Sequence, residues 1–168
     1  MPPPIRAAAG FGIAYRPETA DDLAFVASLY ASTRAAEFAA LGWPPEMLRA
    51  FLDQQHRAQH GHYRTVYPGA EWLIVEQAGA PIGRLYLEER AESLHLIDIS
   101  LVPERRGAGL GGAILADLAA QAEALARPLS LQVEKVNPAR RLYARLGFRA
   151  TSDNGPYDWM ERPSGDGA

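Results

Sequence analysis

Apolar and polar positions along this chain recur with two different periods, and each change of period marks an element. Phe11 to Tyr15 alternates weakly and stops before Pro17, which predicts a first strand. Thr19 follows as a helix N-cap, with Asp21 and Asp22 in the first turn, where negative charge faces unpaired N–H groups. Leu23, Val26, Ala27 and Tyr30 then recur at helical spacing. Pro45, favoured in a first turn, opens a second helix through Met47, Leu48, Phe51, Leu52 and Gln55 toward His60. Glu71 to Gln77 and Pro81 to Glu89 read as strands joined by Ala78-Gly79-Ala80, a hairpin. Ser93 to Val102 is apolar on both faces apart from His95 and Asp98, as a central strand would be. Ile114, Leu115, Leu118, Ala122 and Leu125 form the apolar stripe of a long helix. Leu129 to Val133 is a strand, and Pro138 opens a short helix through Leu146 that Gly147 ends. Phe148 to Thr151 and Tyr157 to Glu161 close the chain as strands. This order predicts an α/β (α+β) fold, a mixed sheet covered by helices.

Composition narrows the setting. The 168 residues, 48% hydrophobic and 22% charged, suit one globular domain. We expect it over residues 11–162, with flexible tails at 1–10 and 163–168, both rich in small residues or proline. A net charge of −3 argues against a nucleic-acid partner, which selects a basic face. The chain has no cysteine, so disulfides, thiolate nucleophiles and Cys-based zinc sites are excluded. No apolar run approaches the ~18 residues of a membrane span. Met1-Pro2-Pro3-Pro4-Ile5-Arg6 lacks the apolar centre of a signal peptide. The expectation is a cytoplasmic protein with no membrane partner.

The chemistry is concentrated in Arg106-Gly107-Ala108-Gly109-Leu110-Gly111-Gly112, between the central strand and the long helix. Glycines let the backbone turn tightly and approach a ligand. The first N–H groups of the helix lack internal partners and favour an anion, and Arg106 adds a donor suited to phosphate. The run therefore reads as a pyrophosphate cradle. A P-loop is excluded, because no Gly-Lys-Ser/Thr follows. Gly107, Gly109 and Gly112 match the dinucleotide fingerprint literally. However, Pro103-Glu104-Arg105-Arg106 separates them from the strand, and the remaining chain is too short for that domain.

Arg106-x-x-Gly109-x-Gly111, preceded by Ile97-Asp98-Ile99-Ser100-Leu101-Val102-Pro103, resembles the acetyl-CoA loop of the GNAT N-acetyltransferase superfamily. Asn137-Pro138-Ala139-Arg140-Arg141-Leu142-Tyr143-Ala144-Arg145-Leu146-Gly147-Phe148 resembles its second signature, and Tyr15 to Leu23 its opening. The resemblance spans residues 11–162. It implies the GNAT fold, with strands 93–102 and 129–133 parallel, central and splayed so that acetyl-CoA enters between them. It implies that backbone groups of Leu101 and Val102 pair with the pantetheine arm and that an N–H near Leu101 polarises the thioester. It further implies that Arg106 and the backbone of Gly107, Ala108, Gly109, Leu110, Gly111 and Gly112 hold the pyrophosphate and that Asn137 bonds the pantetheine. Tyr143 matches the tyrosine that protonates the departing thiolate. With a reference pKa near ~10, a tyrosine is protonated at neutral pH; the bland alternative is a phenol packed at the core edge.

The base reads less sharply. Some family members use a glutamate where this chain has Gln132, which cannot serve. Asp98 reads two ways: a base desolvated among Leu96, Ile97 and Ile99, or an aspartate satisfied by local hydrogen bonds. Glu88, Glu89 and Glu134 are weaker options. His56 and His60 have the i, i+4 spacing of zinc ligands, but no glutamate lies between them and no third ligand is evident, so no metal is expected. A surface helix end or part of the acceptor pocket suits them better. Trp43-Pro44-Pro45, the aromatics from Tyr63 to Trp72, and Tyr157 with Trp159 are candidates for the acceptor side. With no nucleophile for a covalent acyl-enzyme, the expected reaction is direct transfer from acetyl-CoA to a small-molecule or protein amine. A non-catalytic acyl-CoA sensor is the alternative, and a homodimer is left open.

Overall fold

A computed structural model describes residues 1–165. Its strands are β1 (Ile13–Pro17), β2 (Glu71–Gln77), β3 (Ala80–Glu89), β4 (Leu94–Leu101), β5 (Leu129–Glu134), β6 (Arg149–Asn154) and β7 (Tyr157–Arg162). The helices are α1 (Leu23–Phe38), α2 (Pro45–Val66), α3 (Leu110–Ala124) and α4 (Arg140–Arg145). The strands form one sheet in the order β1-β2-β3-β4-β5-β7-β6. Every neighbouring pair is antiparallel except β4 and β5.

Two local devices set the first half. Asp22 accepts from the Thr19 backbone N–H at 2.8 Å and takes both terminal nitrogens of Arg16 at 2.7 and 2.8 Å. That pairing, with Arg16 Nε on Glu76 at 2.6 Å, ties the start of α1 to β1 and β2. The β2–β3 hairpin closes through Ala78 and Gly79, both at positive φ (51° and 78°). Two such residues match the right-handed twist of the flanking strands.

Alternation then assigns the faces. Leu94, Leu96 and Leu101 of β4 and Leu129, Leu131 and Val133 of β5 pack with Ile114, Leu115 and Leu118 of α3. Each such side chain stabilises by about 1.5–3 kcal/mol when fully buried. The opposite face carries α1 and α2, which bury Val26, Leu29, Tyr30, Leu52 and His56.

The N-terminus departs from expectation. Residues 1–10 were expected to be a loose tail, but Arg6, Ala7 and Ala8 donate their backbone N–H groups to the Asp117 carboxylate at 3.1, 2.7 and 3.1 Å. Ala8 is fully buried, and Gln121 donates to the Met1 carbonyl at 3.0 Å. The segment lies along α3 because a buried carboxylate there needs donors. Of the C-terminal tail expected at 163–168, residues 166–168 lie outside the described residues.

The central strands separate. β4 and β5 pair only at Leu94↔Leu129, His95↔Ser130 and Leu96↔Leu131. β4 continues to Leu101 and β5 to Glu134, so their C-terminal halves diverge. At the point of divergence β4 carries a bulge: Leu87 opposes Leu96 and Tyr86 opposes Asp98, leaving Ile97 as the extra residue. Bulges bend a strand and end pairing.

Candidate active site

The cradle sits at the mouth of this splay. Gly107 and Gly109 have φ of 73° and 90°, a region L side chains rarely adopt. Gly109 is the N-cap of α3, and no side chain among the described residues caps the helix. The first backbone bond into the helix is Ala113 N–H to the Gly109 carbonyl. The N–H groups from Gly107 through Gly112 therefore have no protein acceptor among the described residues. A Cβ on Gly107 would meet nothing within 4 Å, so the space above the loop is open. Unpaired N–H groups at an uncapped helix start fit a pyrophosphate.

Arg106 is not a free donor beside that cradle. Its Nε binds the Leu101 carbonyl at 2.8 Å and its Nη2 binds Ser32 Oγ of α1 at 2.9 Å. It fastens the cradle to α1. Leu101 and Val102 are also more engaged than expected. The Val102 N–H binds the Ile82 carbonyl at 2.8 Å and its carbonyl accepts from Arg105 N at 2.9 Å. Val102 thus faces β3, and the antiparallel alternation turns the Leu101 N–H away from β3, toward the splay. Asn137 accepts the Ala139 N–H at 2.9 Å, closing the turn that leads into α4 and leaving its amide nitrogen exposed.

Tyr143 projects from α4 into the core edge, 5.6 Å from the Phe148 ring. Unlike those of Tyr86 and Tyr30, its hydroxyl is engaged by no side chain among the described residues. Burial, and then the Asp98 charge, pushes it up to about 12, so it is protonated throughout the neutral range.

Asp98 is the satisfied aspartate of the two readings. Its Oδ2 takes Arg84 Nη2 at 2.7 Å and its Oδ1 takes Ser100 Oγ at 2.8 Å. Arg84 is buried on the α2 side and also donates to Gln59 at 3.0 Å. The other reading, a lone carboxylate among apolar neighbours, is not what forms, because β3 places a guanidinium beside it. Glu88 and Glu89 are paired with Arg90 and Arg127, and Glu134 is exposed.

On the α1–α2 face, the splay opens into a cleft of about 480 Å³. Leu96 and Ile97 of β4 and Gln132 of β5 form its floor, Tyr30 comes from α1, and Gln55, Gln59, His62 and Tyr63 come from α2. Tyr67, His95 and Tyr157 complete it. His95 is sandwiched between Trp159 (4.9 Å, 7°) and Tyr67 (5.8 Å, 30°), with Nδ1 2.9 Å from Ser130 Oγ. Burial, and then the Arg90 charge, lowers it to about 3, so its ring is neutral at pH 7.

The acceptor-side aromatics divide. Tyr63, Tyr67 and Tyr157 reach the cleft, while Trp43 packs on Phe38 and Phe51 at 6.2 and 5.4 Å, away from it. His56 is not at a surface helix end: it is buried against Tyr30 at 5.6 Å, and burial, chiefly, lowers it to about 4. Among the described residues no three potential metal ligands converge, and no helix is long and apolar enough to cross a membrane.

Sequence reasoning missed His95 as a cleft residue, and it missed Arg84. A polar residue inside an otherwise apolar central strand was the available signal for both.

A splayed parallel pair, an uncapped helix start facing the splay, and a cleft behind it define an acyl-CoA-dependent N-acetyltransferase. The chain belongs to the GNAT acetyltransferase family: the model described as "Acetyltransferase (GNAT) domain" matches residues 34–161. Solved structures share the fold. The PaiA N-acetyltransferase of Thermoplasma acidophilum in complex with coenzyme A is 16% identical, with TM-score 0.64 over 90% of this chain and 98% of that one. An acetyltransferase from Thermus thermophilus is 24% identical, with TM-score 0.62 over 90% and 96%. The spermidine N-acetyltransferase of Vibrio cholerae, in complex with CoA and spermine, is 21% identical, with TM-score 0.60 over 91% and 96%.

Proposed function

We propose that this enzyme moves the acetyl group of acetyl-CoA directly to a primary amine, with both substrates bound at once in the splay. The observation that carries this reading is the run of N–H groups from Gly107 through Gly112 without protein acceptors among the described residues, at the mouth of the β4–β5 opening. These groups hold the pyrophosphate. Arg106 acts chiefly by fixing the loop to α1, and the Asn137 amide nitrogen remains free for the pantetheine. Unpaired backbone beyond Leu96 on the β5 side receives the arm as an added strand. The thioester supplies the activated acetyl group.

Tyr143 Oη holds the proton that the departing sulfur needs. A phenol near 12 donates to a thiolate of reference pKa ~8.5 only at a cost, but the same dryness that raises the phenol raises the thiol. Asp98, with both oxygens engaged, acts as structure rather than as base, so the amine loses its proton through water in the cleft. A binding-only module would have no use for an unengaged phenol at this position.

Gly109→Val tests the cradle. A β-branched residue cannot hold φ of 90° without strain. The expected outcome is loss of acetyl-CoA binding in calorimetry, with thermal stability largely kept. Unchanged affinity would remove the cradle from the site.

A further inference from the structure

We propose that the acceptor is a primary amine carried on an uncharged aromatic body, and is neither a polyamine nor a free amino acid. The proposal deepens the acetyltransferase reading and rests on it. The wall of the 480 Å³ cleft contains four phenol rings, from Tyr30, Tyr63, Tyr67 and Tyr157. Its polar groups are the amides of Gln55, Gln59 and Gln132 and the imidazoles of His62 and His95; among the described residues no aspartate, glutamate, lysine or arginine lines it.

The buried charges just behind the wall are paired, and Glu134, opposite Tyr157 at the rim, is exposed to water. Arg84 is paired with Asp98, which also accepts from Ser100. Glu18 is almost wholly buried and takes both Arg64, at 2.8 Å, and the Tyr86 hydroxyl. Arg34, at the edge beside Tyr30, is paired with Glu37. His95 is a neutral ring held flat against Trp159.

A polyamine brings several ammonium groups out of water, and each needs an anionic partner. The wall offers none. A free amino acid brings a carboxylate that needs a cation, and the nearby guanidiniums are engaged. A flat aromatic body finds phenol faces and edges to pack on. A single ammonium is drawn toward those rings, and desolvation among uncharged groups then favours its neutral form. That form carries the lone pair needed for attack, so the feature that selects the body also prepares the nucleophile.

The test measures thiol release from acetyl-CoA with 2-phenylethylamine, phenylalanine and spermidine, alongside calorimetric binding of acetyl-CoA. The first two differ only in the carboxylate. We expect kcat/KM for 2-phenylethylamine to exceed both others by about tenfold or more, the scale of a charge left without a partner on binding. Gln132→Glu, at an exposed position on the cleft floor, places a carboxylate there and should move the ratio of spermidine to 2-phenylethylamine upward by about tenfold. Spermidine or phenylalanine used as well as 2-phenylethylamine overturns the proposal. So does a protein that binds acetyl-CoA and turns over none of the three. A protein that fails to bind acetyl-CoA overturns instead the acetyltransferase reading beneath it.

Discussion

Arg84 is a guanidinium held almost entirely out of water between β3, β4 and α2, and Asp98 is the group that neutralises it. Removing one partner of a buried pair leaves an uncompensated charge and costs about 3–5 kcal/mol. Asp98→Asn should therefore lower the melting temperature sharply, with any loss of activity tracking the loss of fold. A stable variant without turnover would show that Asp98 is a base after all. Tyr143 is the contrasting case, a buried phenol whose hydroxyl no side chain among the described residues engages. In the proposed mechanism it supplies the proton, while Asp98 neutralises Arg84. In the sequence, Tyr143 stood out through the family motif and Asp98 through its place in an apolar strand, and each kept a structural alternative. Only the register of β3 against β4, which sets Arg84 beside Ser100 and Tyr86 beside Asp98, reveals the cation.

At the scale of elements, α3 serves two sites at once. Its N-terminus is the cradle, and Asp117, two turns further on, anchors residues 6–8 through three backbone hydrogen bonds. Each bond to a charged acceptor contributes about 1.5–3 kcal/mol, non-additively. Asp117→Ala should release the N-terminal segment, seen as fast amide exchange at Arg6, Ala7 and Ala8. Continued protection would place the anchor elsewhere. This docking was not legible beforehand, because the partners lie more than a hundred residues apart and proline-rich sequence carries no period. Elements with a clear period were legible. β2 spans Glu71–Gln77 as expected, and α2 starts at Pro45. α2 runs on past His60 to Val66, since nothing before Tyr67 breaks it. The cradle was legible because its glycines are needed locally. The cleft was not, because its wall is assembled from α1, α2, β4, β5 and β7, and only the fold brings them together.

Across the whole molecule, two buried neutral histidines set the acid limit of stability. His95 is lowered to about 3 and His56 to about 4, chiefly by burial. In the unfolded chain each protonates near ~6.5. Between those values the unfolded state binds more protons, so stability falls as pH falls below ~6.5. By about pH 5 each histidine should cost on the order of 2 kcal/mol. Denaturant titrations from pH 7 to 5 should show this decline, and His95→Phe should flatten part of it. An unchanged slope would mean that His95 is not neutral in the fold. The proposed catalysis belongs to the whole molecule too, since it asks the splay, the cradle and the cleft to act with one phenol, Tyr143. Single-turnover acetyl transfer by Tyr143→Phe, at saturating acetyl-CoA, tests that convergence most directly. The hydroxyl is the only group lost, so stability and acetyl-CoA affinity should change little, while the rate falls by about 10²–10⁴-fold. A variant that transfers the acetyl group at the wild-type rate would contradict the account and leave Tyr143 a packing residue.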